Sequence, residues 1–308
     1  MSASFDEILK KVNECSTKKL SVAAAQDEPV LEAVAEAKKR GIADPILVGD
    51  EAKIREIAAG LNIDLTGMEI INEPDPAEAS LKAVKLVHDG EADMYMKGIL
   101  DTKTFLRSVL NKDVGLRTGG TLSHVAVFEM KDIDHLLFLT DVAFIPYPTL
   151  EDKEAMINYT VEVANACGIE MPKVAPLAAV EVVNPKMPCC VEADQLTKWN
   201  EEGRISNCIV DGPLSMDLAI DPEASRHKAG AASRKIVGNA DILLFPDIHA
   251  GNLVYKTMVR TPGCKNGCLL TGTKAPVILT SRSDSFETKI NSIALAAVVS
   301  EHMKNKEA

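Results

Sequence analysis

Apolar residues recur along this chain in short unbroken runs, separated by stretches with a three-to-four-residue period. Unbroken runs suit strands buried on both faces, and the longer period suits helices with one apolar side. A first helix is expected over residues 5–15. Ser21–Ala25, within LSVAAA, reads as a strand. Glu28–Arg40 reads as a helix with Val30, Leu31, Val34 and Ala37 on its apolar side, ended by Gly41. Pro45–Val48 is the next strand, closed by the Gly49-Asp50 turn. A helix over Ala52–Ala59, a strand over Glu69–Asn72 and a helix over Pro76–Asp89 follow, the last presenting Ala79, Leu81, Val84 and Val87. Met94–Met96 ends a further strand. Alternating strand and helix predicts a mostly parallel sheet covered on both faces, the α/β class.

From Thr121 the texture changes. Val125–Glu129 and Leu136–Thr140 read as paired strands around the polar turn Lys131–Asp134, and Pro146 and Pro148 mark a loop. Leu150–Cys167 is a long helix with Glu151, Asp152 and Glu154 near its start, where the helix dipole favours acids, and Gly168 at its end. Strands are expected at Lys173–Leu177, Cys208–Asp211, Asp241–Phe245 and Ala275–Thr280. Helices are expected at Ala193–Glu202, Gly251–Val259 and, amphipathic and last, Ile290–Glu301.

With 308 residues there is room for two domains and a sizeable core. The net charge of -11 argues against a general nucleic-acid binder but leaves room for a local basic pocket that takes a phosphorylated substrate. Aromatic residues, at 4%, leave few platforms for base stacking. No apolar run reaches about 18 residues, so no membrane span is expected. The opening MSASFDEILKKV reads as an amphipathic helix and not as a signal peptide. The vicinal Cys189-Cys190 and the Cys264/Cys268 pair lack a second pair or a histidine at zinc spacing, so no metal site is expected. Scattered reduced thiols fit a cytoplasmic protein.

Candidate chemistry gathers first in Met94–His124. Lys97 and Gly98 follow the strand, the turn Asp101–Thr104 leads into a helix carrying Arg107, and Val114–His124 holds Arg117, Thr118, Thr121, Ser123 and three glycines. Small residues let backbone approach a ligand, hydroxyl and N–H groups bind oxyanions, and arginine presents a fork that matches phosphate. The plainer reading is an ordinary strand–loop–helix corner with solvated cations. Several strand ends are polar as well: Thr140-Asp141, Asp211-Gly212, Pro246-Asp247 and Thr280-Ser281-Arg282. Ligands collect at the carboxyl ends of strands in open α/β sheets, although each aspartate also reads as a helix cap or turn residue. Ser281-Arg282, with the backbone donors of Ser283 to Ser285, makes the sharpest anion site. No GxSxG pattern is present, so Ser281 reads as a donor and not as a nucleophile. His124 and His249 read as hydrogen-bonded structural residues.

Four segments, in order, resemble the phosphate acyltransferases, the phosphotransacetylase and phosphate butyryltransferase group. They are Met96–Glu129, Ile209–Ile220, Gly238–Lys256 and Ala275–Ser285, within a resemblance running from about Lys19 to Val299. The wording KG…TFLR…LRTGGTLSHVAVFE is closer to the butyryltransferase branch. The resemblance implies two three-layer α/β domains of isocitrate-dehydrogenase-like fold with the active-site cleft between them. Residues 1–120 and 268–308 would form the first domain, and 121–267 an inserted second one. The implied activity is reversible transfer of a short-chain acyl group between coenzyme A and inorganic phosphate, by direct thiolate attack in a ternary complex. Coenzyme A or acyl-CoA and phosphate or acyl phosphate would be the partners, with no tightly bound cofactor, and the protein would be a homodimer or higher homo-oligomer.

The family's LSRG-type motif falls on Thr280-Ser281-Arg282-Ser283, making Ser281 a donor near the acyl or phosphate group and Arg282 a phosphate ligand. The arginine of its TLRPA-type motif falls on Arg107, and these three form the implied catalytic set. The PD…GN motif falls on Pro246, Asp247, Gly251 and Asn252. Lys97, Gly98, Arg117, Thr118, Ser123, Asp247, Gly251, Asn252 and Ser283 form the expected substrate-binding set. Two departures stand out. Thr288, beside Glu287, occupies the position of the aspartate proposed as thiol base in the acetyl branch. That branch's second substrate arginine lies in a segment this chain lacks, with Lys97 and Arg117 as candidate substitutes. Other readings are a phosphate acetyltransferase, a metal- and NAD(P)-dependent dehydrogenase of related fold using Asp211, Asp217 and Asp247, and a non-catalytic acyl-CoA-binding protein.

Overall fold

The structure is a computed structural model that describes residues 4–227, 233–280 and 284–307. It is a mixed α/β protein, and its chain divides into two compact units. One comprises Phe5–Gly120 and Asn266–Ala308, the other Thr121–Lys265. In chain order the first unit contributes α1 (Phe5–Glu14), β1 (Lys18–Ala23), α2 (Glu28–Lys39), β2 (Ala43–Gly49), α3 (Glu51–Gly60), β3 (Glu69–Asn72), α4 (Pro76–His88), β4 (Met94–Lys97) and α5 (Thr102–Val109). The second unit contributes β5 (Ser123–Glu129), β6 (Leu137–Thr140), α6 (Leu150–Ala166), β7 (Lys173–Pro176), α7 (Pro188–Glu201), β8 (Ile209–Val210), α8 (Met216–Ile220), α9 (Pro222–His227), β9 (Ile242–Leu244) and α10 (Ile248–Arg260). The chain returns to the first unit with β10 (Lys265–Thr271), β11 (Val277–Ile278) and α11 (Phe286–Glu307).

In the first unit the strand order is β3-β2-β1-β4-β11-β10, parallel except where β10 meets β11. In the second it is β5-β6-β9-β7-β8, parallel except between β5 and β6. The apolar runs are buried as strand cores, except in the edge strand β3, whose Ile70 and Ile71 are half-buried, and Ser21 in β1 is satisfied by donating to the Ala83 carbonyl at 2.8 Å. Among the described residues no helix is long and apolar enough to cross a membrane.

Three expectations change. α4 buries Ala79, Ser80, Ala83, Val84 and Val87, with Leu81 only half-buried. Ser80 takes an apolar position because its hydroxyl finds partners inside the core. The closing helix is not amphipathic: Thr288 to Ser300 are all buried. Its buried Asn291 and Ser292 are satisfied within the unit. Asn291 Nδ2 donates to the Asn266 carbonyl at 3.2 Å, Ser292 Oγ donates to the Thr288 carbonyl at 2.7 Å, and the same Oγ accepts from Cys268 N at 2.9 Å. β10 lies in a stretch, between Val259 and Ala275, to which the sequence reading assigns no element. It pairs antiparallel with β11, Leu270 opposite Val277, and α11 covers it so closely that a Cβ on Gly267 would meet the Asn291 carbonyl carbon at 3.0 Å.

Candidate active site

In the first unit, β4 delivers Lys97 and Gly98 to the carboxyl edge of the sheet. Lys97 is buried, and its Nζ donates to the Gly98 carbonyl at 3.3 Å. Gly98 N donates to the Ala23 carbonyl at 2.8 Å and Ile99 N to the Ala24 carbonyl at 2.9 Å, so the turns after β1 and β4 are stitched together. Only glycine fits there, since a Cβ would stand 2.2 Å from the Ala24 oxygen and 2.4 Å from the Ala23 oxygen. Asp101 then caps α5, accepting from Thr104 N at 2.9 Å and Thr104 Oγ1 at 2.6 Å. The Thr104 hydroxyl holds its carboxyl below the ordinary range. Arg107 lies exposed in the last turn of α5.

β11 runs parallel to β4, with Val277 opposite Tyr95 and Ile278 opposite Met96, so Thr280 leaves the sheet at the edge that carries Lys97. Ser281, Arg282 and Ser283 lie outside the described residues. Beyond them, Lys289 Nζ donates to the Asp284 carbonyl at 2.7 Å. Burial pulls the Lys289 pKa below the ordinary lysine value, opposed by Asp284 and Asp27. Thr288 Oγ1 donates to Asn266 Oδ1 at 2.8 Å and lies 2.9 Å from the Ser285 hydroxyl. A buried, hydrogen-bonded hydroxyl is no replacement for a carboxylate base.

Arg117 and Thr118 do not join Lys97. Arg117 bridges Thr273, and Thr118 Oγ1 donates to the Gly272 carbonyl at 2.8 Å. Both partners lie in the connection from β10 to β11, which leads into the amino end of β11. The Gly115 carbonyl meets His88 Nδ1 at 3.0 Å, at the end of α4 and on the same side. α5 has carried the chain from one edge of the sheet to the other, so the Met94–His124 stretch is split between the two edges. The Arg117 side chain is exposed.

The carboxyl edge of the second unit is organised by Asp141, which is absent from the expected site set. Its Oδ1 accepts from Ala143 N at 2.6 Å and Phe144 N at 2.7 Å, and its Oδ2 from His124 N at 2.9 Å. The Thr140-Asp141 peptide is cis. The sequence signal for this residue is the polar pair directly after an apolar strand. Asp247 caps α10 by accepting from His249 N at 2.8 Å and Ala250 N at 3.0 Å. A Cβ on Gly251 would stand 2.1 Å from the Asp141 carbonyl oxygen. Asn252 Nδ2 donates to the Val142 carbonyl at 2.8 Å. Asp247, Gly251 and Asn252 therefore lock α10 onto the turn after β6. Ser123 is fully buried, with its hydroxyl 3.0 Å from Thr140 Oγ1. Asp211 accepts from Lys235 N at 2.7 Å and Ile236 N at 3.0 Å and pairs with Arg234 at 3.0 Å, whereas Asp217 lies in the first turn of α8. Among the described residues no three His, Cys, Asp or Glu side chains gather where they could hold a metal ion.

The family described as Phosphate acetyl/butaryl transferase matches residues 4–79 and 73–297. The chain is 58% identical over 299 residues to a Phosphate butyryltransferase of Clostridium acetobutylicum, spanning 97% of this chain and 99% of that protein. It is 44% identical over 294 residues to a Phosphate acetyltransferase of Thermotoga maritima, spanning 96% of this chain and 99% of that one. The crystal structure of a branched-chain phosphotransacylase from Enterococcus faecalis V583 is similar with a TM-score of 0.80 at 34% identity, covering 93% of this chain and 100% of that one.

Proposed function

The chain belongs to the phosphate acetyl/butaryl transferase family, and on that premise we propose how its own residues carry out acyl transfer between coenzyme A and phosphate. The enzyme interconverts acyl-CoA plus phosphate and acyl phosphate plus coenzyme A. Identity to a phosphate butyryltransferase along nearly the whole chain carries this reading.

In the acyl-phosphate direction, a thiol near pKa ~8.5 must lose its proton before it attacks, and neighbouring cations favour the thiolate. The thiolate adds to the carbonyl carbon in a ternary complex. The oxyanion then collapses, the C–O bond to phosphate breaks, and phosphate leaves with its electron pair. The reverse reaction uses a phosphate oxygen as nucleophile against the thioester. We assign Arg282 as the forked phosphate ligand, Arg107 as the second cation, and Ser281 as the donor to the oxyanion. One such donor is worth roughly 3–4 kcal/mol, and holding both substrates in line supplies several kcal/mol more. Lys97, Gly98 and Ser283 are assigned to substrate binding beside Ser281, supported by β4 and β11 ending at one sheet edge. For Arg117 and Thr118 the bridge to Thr273 and the bond to the Gly272 carbonyl, at the opposite edge of the sheet, support a role in holding the β10–β11 connection more than direct substrate contact. For Asp247, Gly251, Asn252 and Ser123 the hydrogen bonding supports a shaping role more than direct contact. The protein is further read as a cytoplasmic homodimer or larger homo-oligomer. None of its seven cysteines forms a disulfide among the described residues, which supports a reducing compartment.

The preferred acyl group is taken to have about four carbons. Each methylene in an apolar pocket is worth ~1–3 kcal/mol, so preference should be graded and not absolute. The test is phosphate-dependent thiol release from acetyl-, propionyl-, butyryl- and branched-chain acyl-CoA. The butyryl substrate is expected to show the highest specificity constant. A higher constant for acetyl-CoA would move the enzyme to the acetyltransferase reading, and no phosphate-dependent release from any of the four would end the proposal.

A further inference from the structure

We infer that a buried hydroxyl cluster, Ser80–Tyr95–Ser108, positions Arg107 for phosphate, and the inference rests on the assignment of Arg107 to phosphate given above. Three elements meet in the cluster: Ser80 comes from α4, Tyr95 from β4 and Ser108 from α5. They are 0%, 0% and 1% exposed. Tyr95 Oη lies 2.9 Å from Ser80 Oγ and 2.8 Å from Ser108 Oγ, and donates to the Ser80 carbonyl at 3.0 Å. Ser80 Oγ donates to Ser108 Oγ at 2.8 Å, and Ser108 Oγ donates to the Phe105 carbonyl at 2.7 Å. Each hydroxyl is thereby satisfied in a core with no access to water. Burial pushes the Tyr95 phenol far above its ordinary range, so it keeps its proton and acts only as a neutral hydrogen-bonding group.

Residue types and geometry explain why such a cluster would set a neighbour's direction. α5 has eight residues, too short to be stable alone. Its apolar side, Phe105 and Val109, packs inward, with the Phe105 ring stacked on Tyr95 at 4.6 Å. Apolar packing is non-directional and leaves rotation about the helix axis loosely set. Hydrogen bonds are directional, and a fully satisfied buried network rigidifies what it joins. Ser108 is the residue after Arg107, and Tyr95 is two residues before Lys97. The cluster thus ties the helix that carries one assigned cation to the strand that carries another. In these terms Tyr95, Ser80 and Ser108 are positioning residues that do not touch substrate.

The test is a double-mutant cycle in the full-length enzyme: Tyr95→Phe, Arg107→Gln and the pair, with Ser108→Ala in place of Tyr95→Phe should that variant fail to fold. Initial rates are measured against phosphate and against acyl-CoA. Small misplacements of a binding group can cost on the order of 10²-fold, so Tyr95→Phe is expected to lower kcat/KM for phosphate about 10-fold or more, with KM for acyl-CoA within about twofold of wild type. With Arg107→Gln present, the same substitution should cost less than about twofold. A purely structural role would lower the melting temperature without this split between substrates. Equal effects of Tyr95→Phe with and without Arg107 would overturn the positioning role while leaving Arg107 in place. Unchanged phosphate kinetics in Arg107→Gln alone would overturn the assignment of Arg107 and, with it, this inference.

Discussion

Gly98→Ala tests whether the turn after β4 is held as tightly as its geometry requires. The added Cβ would stand 2.2 Å from the Ala24 oxygen and 2.4 Å from the Ala23 oxygen, both backbone atoms that cannot swing aside. Relaxed carbon–oxygen contacts lie at about 3.3–3.6 Å, so the two turns must separate by about 1 Å. That movement stretches the Gly98 N to Ala23 O and Ile99 N to Ala24 O bonds. Forced overpacking costs about 1–3 kcal/mol, and two backbone hydrogen bonds add about 1–3 kcal/mol net. The lower entropy of the unfolded Ala chain offsets about 0.4–1 kcal/mol. A net loss of about 1–6 kcal/mol is expected. At about 2–4 °C per kcal/mol for a unit of this size, the melting temperature should fall by at least about 2 °C. Lys97 shifts with the turn, so the specificity constant for phosphate-dependent thiol release should drop on the order of 10²-fold. Gly60→Ala is the control: it is the last residue of α3, no atom lies within 4 Å of its added Cβ, and its melting temperature should be unchanged or slightly raised. Wild-type melting and kinetics for folded Gly98→Ala would refute the reasoning.

Two further outcomes are expected. Arg282→Gln should leave the melting curve unchanged and lower turnover by roughly 10²–10³-fold, with Arg282→Lys recovering only part because an ammonium lacks the forked geometry. Near-normal turnover would place the phosphate site elsewhere. Asp241 lies in a cavity of about 550 Å³ beside His135, Asp134, Glu170 and Lys173, where burial raises its pKa above the ordinary carboxylate value. A raised folded-state pKa means that its contribution to stability is fully present below the unfolded-state pKa and is lost as pH rises through the folded-state value. Asp241→Asn keeps an acceptor for Lys173 N, now bonded at 2.7 Å, and removes the titration. Melts between pH 4 and 8 should therefore show the variant gaining on wild type as pH rises, and a gain by wild type would contradict the assigned direction.

The alternation of apolar runs and helical periods by itself determined the α/β class and placed most strands and helices, because burial on two faces or on one stripe is written into adjacent residues. The resemblance pointed to Asp247, Gly251 and Asn252, but only the Asp247 cap is local, resting on His249 and Ala250; Gly251 and Asn252 meet Asp141 and Val142, 110 positions away. Three things were decided only in the folded molecule. Periodicity does not say which sheet edge a loop reaches, and α5 carries Arg117 and Thr118 away from Lys97 to the connection at Gly272 and Thr273. The all-round burial of Thr288 to Ser300 in α11 depends on β10 supplying partners to Asn291 and Ser292 from more than twenty positions away. The Asp141 hub and the Ser80–Tyr95–Ser108 cluster likewise join residues remote in the chain. A polar side chain's role depends on which donors and acceptors the tertiary fold brings to it, and no local pattern encodes those partners.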